Sequence, residues 1–141
     1  MTLQIQEFED AVRSTEEWIA AFMRQLGWHD RDRAWLALRG ASHALRDCLP
    51  TDAAVSVGAQ LPALLRGIYY DGWHPAVRAL RLKTRHAVLE RIHEAVHRDP
   101  AIEPEQVMRG FLALLADRLP GAELEDAKAE TPEPLRGLWP A

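Results

Sequence analysis

Three histidines and one glutamate recur at helical spacing in the second half of the chain, in the order His86, Glu90, His93 and His97. Steps of four, three and four residues place these side chains on one face of a helix. Glu90 and His93 also have the spacing of the carboxylate and histidine ligands in di-iron helical bundles. The stripe, however, lies about 100° around the helix from its apolar face, where a metal site would lack second-sphere hydrogen bonds. We therefore predict a hydrated face, with no metal and no cofactor, and keep these four residues as a weak alternative.

A histidine and an aspartate one helical turn apart, His43 and Asp47, could in principle activate a nucleophile. Ser42 is adjacent in sequence but points elsewhere on the helix, and no Gly-x-Ser-x-Gly elbow is present. Cys48 is the only cysteine, and a lone cysteine at a helix end is usually a small core residue. The sequence also lacks a glycine-rich phosphate loop. We predict that the protein is not an enzyme.

Aromatic and hydrogen-bonding residues crowd the end of the first half, where Tyr69, Tyr70, Trp73 and His74 surround an Asp-Gly turn and Gln60 precedes them. Such groups suit partner surfaces and the mouths of small pockets. An aromatic plug over the joint between the two halves is the alternative interpretation. If the protein has a ligand or partner site, we expect it here.

A basic segment follows, with Arg78, Arg81, Lys83 and Arg85 and no acidic residue among them. It could contact an acidic partner, anionic lipid or nucleic acid, or it could pair with an acidic helix near the end of the chain. We favour that internal pairing, which would involve the following acidic residues: Glu123, Glu125 and Asp126. Because the net charge is −4 and the pI about 5.8, we predict no nucleic-acid partner.

The elements that position these residues are all helical, because apolar residues recur at three- and four-residue steps and nowhere alternate usefully at period two. The first helix begins near residue 5 or at the capping box of Ser14 and Glu17 and ends at Gly27. The others are predicted at residues 30–48, 51–60, 62–70, 84–98, 104–118 and 122–129, followed by a last turn after residue 132. The fold class is all-α.

The second half of the chain repeats the first without a gap at a shift of 70 residues, as from Arg39 to Arg109. Other matched pairs are Gly40 with Gly110, Asp47 with Asp117, Pro50 with Pro120, Pro62 with Pro132 and Arg66 with Arg136. We predict two tandem four-helix units in one compact domain, at residues 1–72 and 84–141, joined by a basic connector at 73–83. We expect the matched glycines to allow close helix approach.

Two structural ion pairs are predicted from the repeat, Asp47 with Arg66 and Asp117 with Arg136, each joining the second helix of a unit to its fourth. The alternative roles are helix caps, or solvated charges that never meet.

The remaining features indicate a cytoplasmic protein. A lone cysteine fits a reducing compartment, the N-terminal residues lack the pattern of a signal peptide, and no apolar run approaches the roughly 18 residues that a membrane span needs.

Several blocks of the sequence, Leu-Gly-Trp at 26–28, Gly-Ala-Gln-Leu-Pro at 58–62 and Tyr-Tyr-Asp-Gly-Trp at 69–73, resemble a bacterial family known as domain of unknown function 2267. The resemblance covers nearly the whole chain. It implies a small, cytosolic, all-helical protein of two similar halves and implies no activity.

From these patterns we predict a non-enzymatic protein-interaction or structural domain, with a protein partner or self-association possible. The alternative is a small-molecule or metal-binding domain. Its site would be the aromatic turn, residues 69–74, or the histidine stripe of His86, Glu90, His93 and His97.

Overall fold

The computed structural model describes residues 5–141, and within that range the chain forms eight α-helices, one short 3-10 turn at Arg78–Leu80 and no strand. The helices are α1 Gln6–Leu26, α2 Arg31–Cys48, α3 Thr51–Gly58, α4 Ala63–Tyr70, α5 Arg85–Ala95, α6 Pro104–Arg118, α7 Gly121–Glu130 and α8 Glu133–Arg136. The all-α prediction is confirmed. Residues 1–4 of the predicted first unit lie outside the described range.

Helix starts and stops follow local chemistry. The Asp30 carboxylate accepts a hydrogen bond from the backbone N–H of Arg33 at 3.1 Å and caps α2. Gly27 ends α1 with a left-handed φ of 69°, and Pro104 opens α6 at its first position. Since α1 begins at Gln6, the earlier of the two predicted starts is correct.

The four longest helices interleave across the molecule: α2 packs against α5, α1 packs against α6, and α2 also contacts α6. A Cβ atom added to Gly40 on α2 would lie 2.5 Å from the Ala95 Cβ on α5. One added to Gly110 on α6 would lie 2.8 Å from Leu26 on α1. Both glycines therefore allow the close helix approach that the sequence predicts.

The fifth helix is shorter than predicted, because it ends at Ala95 rather than near residue 98. His97 and Arg98 have left-handed φ values of 57° and 54°. Asp99 precedes Pro100, and proline disfavours the helical conformation at the residue before it. The chain turns here instead of continuing the helix.

Two proline positions also correct the sequence interpretation. Pro50 and Pro62 stand as the caps of α3 and α4, without a side-chain capping bond. Thr51 is thus the first helical residue of α3, and Ala63 that of α4.

Among residues 5–141, no helix has both the length and the apolar character that a bilayer crossing requires.

Candidate functional site

The tyrosine pair of the aromatic turn fastens α4 to α3. Tyr69 is fully buried, and its hydroxyl donates to the Ala54 carbonyl at 2.7 Å. Burial raises the pKa of Tyr69, so the hydroxyl stays protonated as a donor. The Tyr70 ring packs edge-on against the Tyr69 ring, with ring centroids 5.1 Å apart, and the Tyr70 hydroxyl donates to the Val55 carbonyl at 3.3 Å. A Cβ atom at Gly58 would lie 2.3 Å from the Tyr70 hydroxyl. These contacts all lie within the first half of the chain, where the pair packs α4 against α3.

Trp73 and His74 have a different environment. The half-buried Trp73 stacks on Tyr70, with ring centroids 5.4 Å apart and planes 28° apart. His74 is exposed, and both residues line a cleft between the aromatic turn and the segment that follows it. Gln60 is half-buried and does not line this cleft. Of the five predicted site residues, only Trp73 and His74 therefore line it.

The cleft has a volume of about 660 Å³ and is bordered by the end of α2, the aromatic turn, the connector at 73–83 and α5. One carboxylate lines it, that of Asp47, together with the exposed imidazole of His74. The cationic residues around it are Arg46, Arg78, Arg81, Lys83 and Arg91. A chain with a net charge of −4 thus gathers five of its seventeen cations around one cavity.

Asp47 and Arg46 form the fixed wall of the cleft. The Arg46 guanidinium donates to the two Asp47 carboxylate oxygens at 2.8 and 2.9 Å, and to the carbonyls of Tyr69 and Asp71 at 2.9 and 2.8 Å. Arg91 on α5 donates to the same carboxylate. Burial alone would raise the pKa of Asp47, but the hydrogen bonds from the two arginines outweigh it and hold the pKa below its usual value.

The connector supplies the free cations of the cleft. Arg78, Arg81 and Lys83 are exposed, and within residues 5–141 no carboxylate lies within ion-pair distance of them. The backbone N–H of Leu82 donates to the Asp47 carbonyl at 2.9 Å and ties the connector to the end of α2. The three side chains are therefore held beside the cavity with their charges available.

The acidic helix α7 does not neutralise these cations, contrary to the sequence interpretation. It packs against α3, where Glu123 and Asp126 line a separate groove together with Asp52. Because the connector is bonded to the end of α2 instead, the two oppositely charged segments do not pair.

The predicted ion pair between Asp47 and Arg66 is replaced by other contacts. Arg66 donates to the carbonyls of Gly58 and Leu61 at 2.9 and 2.8 Å, and so satisfies carbonyl groups that the end of α3 leaves free. Of the alternatives open from the sequence, the helix cap is the one observed for Arg66.

Arg136 likewise does not pair with Asp117. It donates to the carbonyls of Thr131 and Ala129 at 2.8 and 3.0 Å, at the end of α7. The exposed Asp117 accepts a hydrogen bond from the Gln25 amide at 3.3 Å. The arginine side chain reaches the nearby free carbonyls of the preceding helix, as Arg66 does.

The histidine stripe does not assemble a ligand set. His97 lies beyond the end of α5, and Glu90 forms an ion pair with Arg98, which lowers the Glu90 pKa through a hydrogen bond. Among the described residues, no three potential metal ligands come together. His86 and His97 are exposed, whereas Glu90 and His93 are half-buried, so the stripe is not the fully hydrated face that the sequence predicts. It is also interrupted because α5 is shorter than the predicted helix.

The possible His43–Asp47 dyad is also not formed. The His43 Nε2 atom donates to the Ile68 carbonyl at 2.7 Å, and burial lowers the His43 pKa. Cys48 is buried, which raises its thiol pKa to about 12. His43 and Cys48 therefore do not form a base and an activated thiol nucleophile.

The sequence predicts no site role for Arg46, and it indicates Arg91 only as a cation beyond the basic segment. One signal could have drawn attention to them: at the shift of 70 residues their counterparts are Ala116 and Ala21. A charged residue that the repeat does not share is a better candidate for a special role than a shared one.

No curated protein matches the chain. Residues 15–138 match the family described as uncharacterized conserved protein DUF2267, which confirms the resemblance noted from the sequence. The chain belongs to the DUF2267 family.

Proposed function

We propose that the cleft binds a small organic anion, in line with the small-molecule alternative predicted from the sequence. The observation that carries this proposal is the cavity of about 660 Å³ lined by five cations and one carboxylate. Concave sites with a few convergent polar groups are typical of ligand pockets. That one carboxylate is already occupied by Arg46 and Arg91, so the remaining positive charge faces the cavity.

The residues have distinct roles in this proposal. Arg78, Arg81 and Lys83 bind the oxyanion, a phosphate or carboxylate, through charge-assisted hydrogen bonds. Trp73 provides an aromatic wall for an apolar or planar part of the ligand. Arg46 holds the backbone beside that wall through the carbonyls of Tyr69 and Asp71, and the Asp47 carboxylate is bound by both Arg46 and Arg91.

Isothermal titration with sodium pyrophosphate and with citrate tests this function. We expect one site per chain, and affinity that decreases as NaCl is added because the site is solvent-accessible. The double variant Arg78→Ala/Arg81→Ala is expected to bind about 100-fold more weakly, at roughly 1.5 kcal/mol for each lost charge-assisted bond. The relative strength of the two probes distinguishes a phosphate site from a carboxylate site.

The matched control is Arg24→Ala/Arg39→Ala, which removes the same charge from exposed positions that do not line the cleft. Equal weakening of binding in both double variants would show that only the net charge of the protein matters. If neither pyrophosphate nor citrate gives heat of binding, the proposal is wrong.

A second function, protein contact, was the leading prediction from the sequence, and one observation favours it. Of the seven exposed large apolar side chains in the described residues, five lie on two segments. These five are Ile5, Phe8, Val12, Val77 and Leu80. Clustered apolar exposure is a feature of interaction surfaces, and light scattering across protein concentrations tests whether the chain self-associates.

We also propose that the domain consists of two tandem four-helix units, residues 1–72 and 84–141, joined by the connector at 73–83. Arg66 caps the carbonyls of Ala59 and Leu61. Arg136 caps the carbonyls of the residues 70 positions later, 129 and 131. The crossing of α2 with α5 and of α6 with α1 supports a pseudo-two-fold relation between the units.

A further inference from the structure

We infer that the start of α1 in one copy of the chain docks on the connector of a second copy, and that the two copies form a symmetric dimer. Residues 5–13, which comprise the N-cap Ile5 and the first turns of α1, are called the overhang. The inference rests on the second proposed function, protein contact, and it names the partner as a second copy of this chain.

The overhang extends an apolar helix face beyond the core that covers the rest of it. The first buried residue of α1 is Thr15, whereas Ile5, Phe8 and Val12 are exposed by 55%, 64% and 46%. The four-residue step places Phe8 and Val12 on one helical stripe, which continues toward the buried Phe22, and Ile5 precedes the stripe as the N-cap of α1. The exposed stripe is therefore the uncovered end of a packing face.

The overhang and the connector have opposite charges around similar apolar surfaces. The overhang carries Glu7, Glu9 and Asp10 against one cation, Arg13. The connector carries no acid, and its two exposed large apolar residues, Val77 and Leu80, are 48% and 49% exposed. Its cations are Arg78, Arg81 and Lys83. Complementary charge around an apolar centre is the pattern of a specific protein contact.

A second copy is the occupant that this pattern fits. In one copy, none of the overhang carboxylates forms an ion pair with a connector cation within the described residues; Asp10 pairs with Arg13 of its own helix. Each chain carries both halves of the contact, so a two-fold exchange satisfies both overhangs at once and closes without forming a fibre.

The contact would cover the candidate cleft, because the connector residues Val77, Leu80, Arg78 and Arg81 also line it. The carboxylates of the overhang then meet the same cations that bind the small anion. A small anion and a second copy therefore compete, and the free anion shifts the population toward the monomer.

Sedimentation velocity of the full chain tests the dimer through a charge exchange. Glu7→Lys/Glu9→Lys and Arg78→Glu/Arg81→Glu each place like charges together in both contacts. We expect each variant alone to dimerise about 100-fold more weakly than the wild type. Mixed in equal amounts, the two variants are expected to form a heterodimer of nearly wild-type stability, because both of its contacts again join opposite charges.

The apolar part is tested with Phe8→Ala/Val12→Ala, expected to weaken the dimer about tenfold, against Val55→Ala/Leu64→Ala. The control residues are 46% and 47% exposed and lie on neither segment. A wild-type chain that remains monomeric at all concentrations, or variants whose mixture does not associate, would overturn the inference. Equal weakening in the apolar control would also count against it.

Pyrophosphate distinguishes the two proposals. Its binding is measured on Phe8→Ala/Val12→Ala, which keeps every residue that lines the cleft. Heat of binding without any wild-type dimer leaves the anion site standing and removes the dimer. A dimer restored by charge exchange, without heat of binding, does the reverse. If the wild-type dimer forms but pyrophosphate does not dissociate it, the contact does not cover the cleft.

Discussion

Arg46 and Asp47 are neighbours on α2, yet the arginine guanidinium turns back onto the adjacent carboxylate through two hydrogen bonds of 2.8 and 2.9 Å. Arg46 is only 4% exposed, and it also holds the carbonyl groups of Tyr69 and Asp71 at the end of α4. The carbonyl of Asp47 accepts the N–H of Leu82. Two adjacent residues thus fix both the aromatic turn and the connector.

Replacement of Asp47 by asparagine is expected to lower the free energy of unfolding by about 3 kcal/mol, because it leaves the buried Arg46 charge without its carboxylate. Urea denaturation followed by tryptophan fluorescence measures the loss. Asp117→Asn is the matched control: it lies at the equivalent position in the second half, is exposed, and accepts one long hydrogen bond. We expect that variant to stay within about 0.5 kcal/mol of the wild type. Equal losses in the two variants would contradict the role of Asp47.

The pH dependence of stability provides a separate prediction. The pKa of Asp47 is lower in the folded protein than its usual value, so the unfolded chain binds more protons in acid. The stabilisation is then complete above the ordinary carboxyl pKa of about 3.9 and is lost as the pH falls through the lower, folded pKa.

Thermal melts of the wild type and of Asp47→Asn, recorded from pH 6 downward, measure this effect. We expect the stability difference between the two proteins to decrease below about pH 4. Because other carboxylates titrate in both proteins, only this difference reports on Asp47. Profiles that remain parallel throughout would show that the carboxylate charge does not stabilise the fold.

Glycine positions predict opposite effects of the same substitution. Gly40→Ala places a methyl group 2.5 Å from the Ala95 Cβ, so α2 and α5 must move apart, at a cost of about 1–3 kcal/mol. Gly67→Ala meets nothing within 4 Å on the exposed side of α4, and the higher helix propensity of alanine is expected to stabilise the protein by roughly 0.5 kcal/mol or more. Denaturant unfolding measures both. A neutral Gly40→Ala would show that the two helices separate without cost.

Helices and their ends could be predicted because they depend on nearby residues. Asp30 caps α2 through an N–H three residues away, and Gly27 adopts the left-handed conformation that ends α1. Apolar periodicity identified the helix faces that pack in the core, except at the start of α1, where Phe8 and Val12 are exposed. The repeated glycines marked the close helix approaches.

The partners of long charged side chains could not be predicted in the same way. The Arg66 guanidinium donates to the free carbonyls of Gly58 and Leu61. Whether this side chain bonds a carbonyl or the Asp47 carboxylate depends on how α3 and α4 meet, which no sequence pattern indicates. To predict the cleft from the sequence, Arg91 would have had to be placed beside Asp47, which is 44 residues away along the chain. Folding, rather than spacing, brings these groups together.

The interleaved packing of α1 on α6 and of α2 on α5 has a consequence for how the chain folds. Each half offers its longest helices to the other half, so neither half has a complete interior by itself. Early in folding, the two halves must therefore search for each other, and the connector keeps their mutual concentration high. Proteolytic cleavage at the exposed Arg78 or Arg81 would cut the polypeptide without separating the pieces, and the nicked protein would refold at a rate that depends on its concentration.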